Sequence, residues 1–183
     1  PLEFLDWAQY GVTLINDLLD LTRLDEDRLQ PVIRAVDATL IARRALSLVT
    51  PAAERKQVTL ELGADSGLPN CETDASRVEQ ILVNLLGNAL KYAPQRSTVR
   101  VSITVRDRRV VYTVEDAGPG VPADDVERVF DIYVTKVGEE SRGLGLGLPL
   151  SRRLARLLGG ELHAVAHPGK GGCFVLEVPA AER

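Results

Sequence analysis

The 183-residue sequence contains few of the residues on which several classes of protein depend. Aromatic residues make up only 4% of the chain, which leaves little material for the stacking surfaces that single-stranded nucleic acid requires. The net charge of -4 supplies no overall basic field that would attract nucleic acid. We therefore expect no nucleic-acid partner.

Cysteines and long apolar runs are scarce as well. Cys71 and Cys173 are too few for a disulfide framework, and they fit buried positions in a reducing compartment. The sequence contains no signal peptide and no apolar run of membrane length. Because the chain begins at Pro1, inside an apparent helix, we expect a piece of a longer cytoplasmic protein. Any attachment to an inner membrane would come from other parts of that protein.

The first segment, residues 2–27, is predicted to be one helix with two adjacent apolar stripes. Leu5 and Ile15 lie on the first stripe, and Leu14 and Leu18 lie on the second. Two stripes favour a helical bundle or a dimer seam. The alternative is an amphipathic helix that packs against its own domain.

The rest of the chain mixes predicted helices with predicted hairpins. Asp37 and Asp74 are predicted to cap two of the helices. The mixture indicates an α+β fold, a two-layer sandwich with one mixed sheet and helices on one face. The predicted helices are 38–56, 75–93, 124–130 and 144–158, and the predicted strands are 31–37, 58–62, 99–106, 110–115, 161–166 and 173–178.

The helix that follows Asp74 carries an unusual polar face. Asn84, Asn88, Lys91 and Tyr92 are spaced so that they share one side of it, opposite an apolar side. Asparagine costs roughly 0.6 kcal/mol relative to alanine in a helix. Two asparagines on one face therefore indicate a ligand site, although a solvated polar stripe would have the same pattern.

A second candidate segment, Asp116-Ala-Gly-Pro-Gly120, directly follows a predicted strand. Gly118 and Gly120 allow a sharp turn and a close approach to a flat ligand. The Asp116 carboxylate is able to accept a hydrogen bond from an exocyclic amine such as that of adenine. A plain turn is the alternative.

A third segment places glycines at every second position before a predicted helix, in the order Gly143, Leu144, Gly145, Leu146 and Gly147. Backbone N–H groups at a helix start can bind phosphate when no side chain is in the way. Close helix packing is the alternative. A further glycine-rich stretch, residues 169–172, is interpreted as a hairpin turn.

Together, and in this order, these segments resemble the ATP-binding domain of sensor histidine kinases, in the superfamily shared with gyrase B, MutL and the heat-shock chaperone ATPases. The resemblance implies the Bergerat ATP-binding fold for residues 30–183. For residues 1–29 it implies the second helix of a dimerisation and phosphotransfer domain. The four matching boxes are 84–92, 116–120, 129–133 and 143–148.

The resemblance also implies ATP and Mg²⁺ as ligands. Asn84 would give its side-chain oxygen to Mg²⁺, and Asn88 would bind phosphate or the same metal. Lys91 would approach the phosphates and Tyr92 would line the pocket. Asp116 would bind the adenine amine. The phosphates would be wrapped by the glycine segment (Gly143, Leu144, Gly145, Leu146 and Gly147) and reached by Lys136, while Gly118 and Gly120 would let the base sit close.

The resemblance further implies phosphoryl transfer to another protein group. Gln80 stands where ATP-hydrolysing relatives place a glutamate base, which favours transfer over hydrolysis. His163 and His167 do not match the acceptor histidine of the family, so the acceptor is expected outside this chain. The expected partners are the receiver domain of a response regulator and a second copy bound through the first helix. The alternatives are a nucleotide-binding pseudokinase and an anti-sigma-type serine kinase, although the latter normally lacks such a helix.

Overall fold

The computed structural model describes residues 2–132, 145–167 and 170–182, with side chains from residue 11 onward. Within these ranges, four helices and seven strands form the fold. The helices are α1 (Leu2–Asp25), α2 (Ala38–Lys56), α3 (Ala75–Tyr92) and α4 (Gly147–Leu157). The strands are β1 (Arg34–Val36), β2 (Thr59–Ala64), β3 (Cys71–Thr73), β4 (Thr98–Arg106), β5 (Arg109–Glu115), β6 (Glu161–Ala164) and β7 (Cys173–Pro179).

The main sheet has five strands in the order β2-β4-β5-β7-β6. Strands β2 and β4 are parallel, and every other pair of neighbouring strands in this sheet is antiparallel. Helices α2, α3 and α4 lie side by side and pack against this sheet. The mixed sheet and the α+β class are as predicted from the sequence.

Local capping chemistry places the helix starts. Asp37 accepts hydrogen bonds from two backbone N–H groups at the start of α2, at 2.7 and 3.2 Å. Asp74 does the same for α3, at 3.0 and 3.3 Å. Such caps contribute about 1 kcal/mol each. Helix α3 ends at Tyr92, two residues before Pro94, because the residue before a proline is disfavoured in helical conformation.

The two predicted apolar stripes of α1 differ in burial, although Leu18 of the second stripe is 41% exposed. Leu21 belongs to the hydrophobic core of the sandwich, and Leu14 and Leu24 are partly buried against that core. Val12 and Ile15 are 58% and 59% exposed. One side of α1 therefore packs on its own domain. The alternative interpretation, packing against its own domain, therefore holds for that side of the helix, while the other side remains unburied.

Three observed elements differ most from those predicted. Strand β3 was not predicted, because its three residues follow a polar loop and it is defined by antiparallel pairing with the distant β1. The helix predicted at 124–130 is two short 3₁₀ turns, Ala123–Asp125 and Arg128–Phe130, since neither turn has a side-chain cap that would extend it. Helix α4 begins at Gly147 rather than at residue 144, because Gly145 has a left-handed backbone with φ 66°.

Both cysteines are buried, as predicted. Across the three described ranges, no helix combines the length and the hydropathy that crossing a bilayer requires. The division of the chain into two domains at residues 29 and 30 stays a prediction.

Candidate functional site

A cavity of about 600 Å³ is lined by residues of helices, loops and a strand. Its walls come from α1, α3, the loop after β5, the start of α4 and the residues around the start of β7. Nine predicted site residues line it: Asn84, Asn88, Lys91, Tyr92, Asp116, Gly120, Gly145, Leu146 and Gly147. Residues that were predicted from three separate stretches of sequence therefore share one cavity. Lys136, Gly143 and Leu144 lie outside the described residues.

Asn84 is held from the α4 side. Its Nδ2 donates to the hydroxyl of Ser151 at 3.1 Å and, at a longer 3.5 Å, to the carbonyl of Gly147. Ser151 is fully buried. Because the amide nitrogen faces α4, the amide oxygen Oδ1 is the atom left for a ligand. The sequence analysis did not identify Ser151, although a hydroxyl one turn after Gly147 in a leucine-rich helix was an available signal.

The carboxyl-terminal end of α3 brings Lys91 and Tyr92 to the cavity. The Lys91 ammonium lies 5.3 Å from the centroid of the Tyr92 ring, within the range of a cation–π contact. Lys56, at the end of α2, donates to the carbonyls of Leu90 and Lys91. These carbonyls have no partner within the helix, so Lys56 satisfies them and ties the end of α3 to α2.

Asp116 follows β5 and is held by main-chain groups. Its Oδ1 accepts hydrogen bonds from the N–H of Gly118 at 2.7 Å and from the N–H of Gly172 at 3.1 Å. Its own backbone N–H donates to the Gly172 carbonyl at 2.9 Å. The carboxylate is therefore fixed by two segments that are more than fifty residues apart in sequence.

The glycines around Asp116 are required by the protein itself. A Cβ on Gly118 would lie 2.7 Å from Asp116 Oδ1 and 2.9 Å from the Tyr92 carbonyl oxygen. A Cβ on Gly120, where φ is +77°, would lie 2.7 Å from the Gly171 carbonyl oxygen. The sequence analysis explained Gly118 and Gly120 by the approach of a flat ligand, and the structure adds this internal reason.

The glycine-rich stretch before β7 has a second role beyond its turn. It connects β6 to β7, as predicted. Gly172 also lines the cavity and binds Asp116. Sequence reasoning missed this contact because the bond depends on the register of β5 against β7, in which Glu115 faces Cys173.

Helix α1 contributes a wall that was not predicted. Thr13, Leu14 and Asp17 line the cavity. Burial raises the pKa of the Asp17 carboxyl from 3.8 to about 6, and the negative charge of Asp20 adds to that shift. A carboxylate at the cavity wall thus holds its proton more tightly than an exposed one.

A polar cluster docks α1 onto α3. Asp20 is only 8% exposed, and its Oδ2 accepts from Arg77 Nη1 at 2.9 Å and from Gln80 Nε2 at 3.1 Å. Arg77 Nη1 also donates to Gln80 Oε1 at 2.8 Å. Farther along, Arg153 Nη1 of α4 pairs with Asp25 at 2.6 Å. Gln80 is therefore engaged with α1.

Comparison with known proteins assigns the chain to a family. Residues 73–182 match the family model described as histidine kinase-, DNA gyrase B-, and HSP90-like ATPase. This match covers more than half of the chain, and the chain belongs to that family. The sensor histidine kinase resemblance and the fold class predicted from the sequence are thereby confirmed.

Two relatives of this chain are named as a sensory kinase and as a sensor protein. The chain is 34% identical over 168 residues to the adaptive-response sensory kinase SasA of Thermosynechococcus vestitus, covering 91% of this chain and 44% of SasA. It is 33% identical over 173 residues to the aerobic respiration control sensor protein ArcB of Escherichia coli, covering 91% of this chain and 22% of ArcB. The chain spans less than half the length of these curated relatives.

Among solved structures, full-length ShkA in complex with AMPPNP matches with a TM-score of 0.86 and 31% identity, covering 97% of this chain and 37% of that one. The histidine kinase AdeS of Acinetobacter baumannii matches with a TM-score of 0.81 and 20% identity, covering 98% of this chain and 83% of that one. The second likeness shows the fold alone.

Proposed function

We propose that this chain is the catalytic ATP-binding domain of a sensor histidine kinase in a two-component system. One observation carries the proposal. An acceptor carboxylate, Asp116, and two side-chain amides, Asn84 and Asn88, lie on different walls of one cavity of about 600 Å³. A nucleotide needs a polar partner for its base and separate partners for its phosphates, and this cavity offers both.

Asp116 would bind the adenine end of ATP. Its carboxylate accepts a hydrogen bond from an exocyclic amine and repels the carbonyl oxygen that guanine carries at the same position. The 6-amino group is thus the feature that Asp116 distinguishes. Tyr92 would line the nucleotide pocket.

The phosphates would lie toward α4 and the end of α3. The first N–H groups of a helix have no partner within it, and they carry a partial positive charge. The N-cap residue Leu146 makes no side-chain capping bond, and glycines on either side of it keep the backbone accessible. Lys91 adds a positive charge, and Lys136 and Gly143 keep the phosphate-binding roles that the family resemblance implies.

Asn84 and Asn88 fit a magnesium nucleotide. Mg²⁺ prefers oxygen ligands and is usually bound by few protein groups together with substrate phosphates and waters. The contact of Asn84 Nδ2 with Ser151 leaves a neutral amide oxygen for such an ion. When bound, Mg²⁺ would neutralise charge on the triphosphate. Asn88, one turn farther along α3, would bind phosphate or the same metal.

Transfer to a protein nucleophile is favoured over hydrolysis. Both polar ends of the Gln80 side chain are used by Arg77 and Asp20, and an amide cannot act as a base toward water. Catalysis would then consist of positioning and charge neutralisation. The γ-phosphate would pass to a histidine outside this chain and then to the receiver domain of a response regulator. The exposed side of α1 would pair with a second copy of the protein.

Ligand-induced stabilisation tests the nucleotide site. Mg-ATP at 100 times its Kd is expected to stabilise the folded chain by roughly 2.7 kcal/mol. Asp116→Ala is expected to abolish the shift in melting temperature, whereas Asp65→Ala, in the exposed loop after β2, keeps it. The absence of any shift in the wild-type chain at millimolar Mg-ATP would contradict the proposal.

The phosphorylated product tests the kinase class. The chain is joined to a helix that carries an acceptor histidine and is supplied with ATP labelled at the γ-phosphate. Label that is lost in acid and kept in base identifies phosphohistidine. Acid-stable label would instead indicate a serine kinase, and nucleotide binding without label would indicate a pseudokinase.

A further inference from the structure

We propose that Gly172 is the positioning residue that decides which oxygen of Asp116 meets the nucleotide base. Gly171 and Gly118, which also lie against Asp116, help to hold it in place. The proposal rests on the proposed ATP site and adds to it the origin of its base selectivity. Gly172 would act through Asp116, without any chemistry of its own.

The hydrogen bonds around Asp116 treat its two oxygens differently. Oδ1 accepts from Gly118 N–H at 2.7 Å and from Gly172 N–H at 3.1 Å. Across the described part of the chain, no group donates to Oδ2. The carboxylate therefore offers Oδ2 to a ligand while two main-chain donors hold Oδ1.

The segment that supplies one of these donors is itself fixed. Gly172 and Asp116 exchange two hydrogen bonds, because the Asp116 N–H also donates to the Gly172 carbonyl at 2.9 Å. Immediately beyond this pair, β5 and β7 continue as an antiparallel ladder. The donor is an extension of the sheet, so the carboxylate cannot turn without losing a bond to rigid backbone.

Neither Gly171 nor Gly172 has room for a side chain beside Asp116. A Cβ on Gly172 would lie 2.4 Å from Asp116 Oδ2 and 3.1 Å from its Cγ. It would occupy the space of the oxygen that faces the ligand, without meeting the backbone of Asp116. A Cβ on Gly171 would lie 1.7 Å from the Asp116 carbonyl oxygen. Gly171 is therefore needed for the backbone, and Gly172 is needed for the carboxylate.

The fixed orientation makes a specific prediction for Asp116→Asn. The two N–H donors would hold the amide oxygen in the place of Oδ1. The amide NH₂ would then stand in the place of Oδ2 and face the ligand as a donor. A donor at that point suits the 6-carbonyl of hypoxanthine and repels the 6-amino group of adenine.

The first experiment measures nucleotide affinity by calorimetry, with Mg²⁺, for the wild-type chain and Gly172→Ala. The ligands are ATP and purine riboside triphosphate, which lacks the 6-amino group. Gly172→Ala is expected to weaken ATP binding roughly tenfold or more, because Oδ2 is displaced. The affinity for the purine analogue should change by less than about threefold, since that ligand has no amine to lose.

The matched control is Gly63→Ala, where a Cβ would meet nothing within 4 Å. It should leave both affinities unchanged. A purely structural role of Gly172 would weaken both nucleotides equally, and that result would overturn the proposal.

The second experiment uses Asp116→Asn, which preserves the size and shape of the side chain. We expect its preference between ATP and inosine triphosphate to be the reverse of the wild-type preference. A variant that keeps the wild-type preference for ATP would overturn the proposal, even if Gly172→Ala fails to fold. Failure of the wild-type chain to bind any of the nucleotides would overturn the proposed function and the inference together. Wild-type ATP binding without the reversal would overturn the inference alone.

Discussion

The two sides of the cavity are built from different parts of the chain. On the Asp116 side, the Asp116 carboxylate is held by backbone N–H groups of Gly118 and Gly172. On the α1 side, the wall is docked by side chains, chiefly Asp20 with Arg77. Backbone donors at the end of a sheet cannot move without disrupting the strands. Side-chain pairs, by contrast, can break and re-form. One wall is therefore preformed and the other is adjustable.

The ion pairs on the α1 side are unequal. Asp25 and Arg153 are 66% and 39% exposed, so their pair contributes little to stability. The Asp20 and Arg77 side chains are 12% and 24% exposed, so their charges are poorly solvated when unpaired. The docking of α1 therefore depends mainly on the cluster around Asp20.

The largest expected effect tests the rigidity of the Asp116 side. Gly171→Ala would place a Cβ 1.7 Å from the Asp116 carbonyl oxygen at a residue with φ +95°. We expect a loss of about 3 kcal/mol or more in the free energy of unfolding, measured with urea. Gly67→Ala is the control, because its φ is +73° but a Cβ would meet nothing within 4 Å. That control should cost only about 1–2 kcal/mol from the left-handed backbone. Equal losses in the two variants would show that the clash at Asp116 is relieved easily.

The next effect tests the α1 side. Arg77→Met removes the charge that compensates Asp20 and should cost about 1–3 kcal/mol in unfolding free energy, below the usual value for a fully buried pair. Protease cleavage within α1 should accelerate at the same time. Arg100→Met removes an exposed pair with Glu61 and is expected to cost at most about 1 kcal/mol. If Arg77→Met leaves both stability and cleavage at wild-type values, the Asp20 cluster does not dock α1.

A smaller effect is expected for the partner of Asn84. Ser151→Ala removes the hydroxyl that accepts from Asn84 Nδ2, which should weaken Mg²⁺-dependent ATP binding roughly fivefold, the equivalent of about 1 kcal/mol. Binding measured without Mg²⁺ should change less. Ser47→Ala, at an exposed position of α2, is the control and should have no effect. An equal loss with and without Mg²⁺ would mean that Ser151 supports the fold rather than the orientation of Asn84.

The smallest effect concerns the pH dependence of the α1 wall. Burial raises the pKa of Asp17 to about 6 from 3.8. The folded chain therefore binds more protons than the unfolded chain between these values, and this group lowers the stability as the pH rises from about 4 to 6. Asp17→Asn removes that dependence and should melt about 2 °C higher than the wild-type chain at pH 7. Melting curves at pH 4 and pH 7 check the sign, since the difference should be greater at pH 7. A difference that grows toward pH 4 would refute the assignment.

Local chemistry explains which features were predictable. Asp37 and Asp74 were identified as helix caps, because an N-cap acts on backbone groups two and three residues away. The predicted strands 99–106 and 110–115 leave three residues for a turn, and two of these, Asp107 and Arg108, have positive φ. The four boxes of the ATP-binding family are also short, and most of their residues line one cavity.

Long-range packing explains what was missed. Ser151 meets Asn84 only when α4 packs on α3, and Asp20 meets Arg77 only when α1 docks on α3. The hydroxyl of Ser151 was a signal too weak to name its partner, and a helical aspartate such as Asp20 has many ordinary uses.

Local sequence patterns are enough to predict most of the elements, the class of fold and the types of side chain that the cavity would contain. Capping, turn chemistry and apolar periodicity act over a few residues, so they can be recognised in the sequence alone. The orientation of those side chains depends on contacts between elements that are distant in sequence. The register of β5 against β7 brings Gly172 to Asp116, and the docking of α1 places Asp17 at the cavity. Such placements result from the packing of whole elements, in which residues more than fifty positions apart become neighbours.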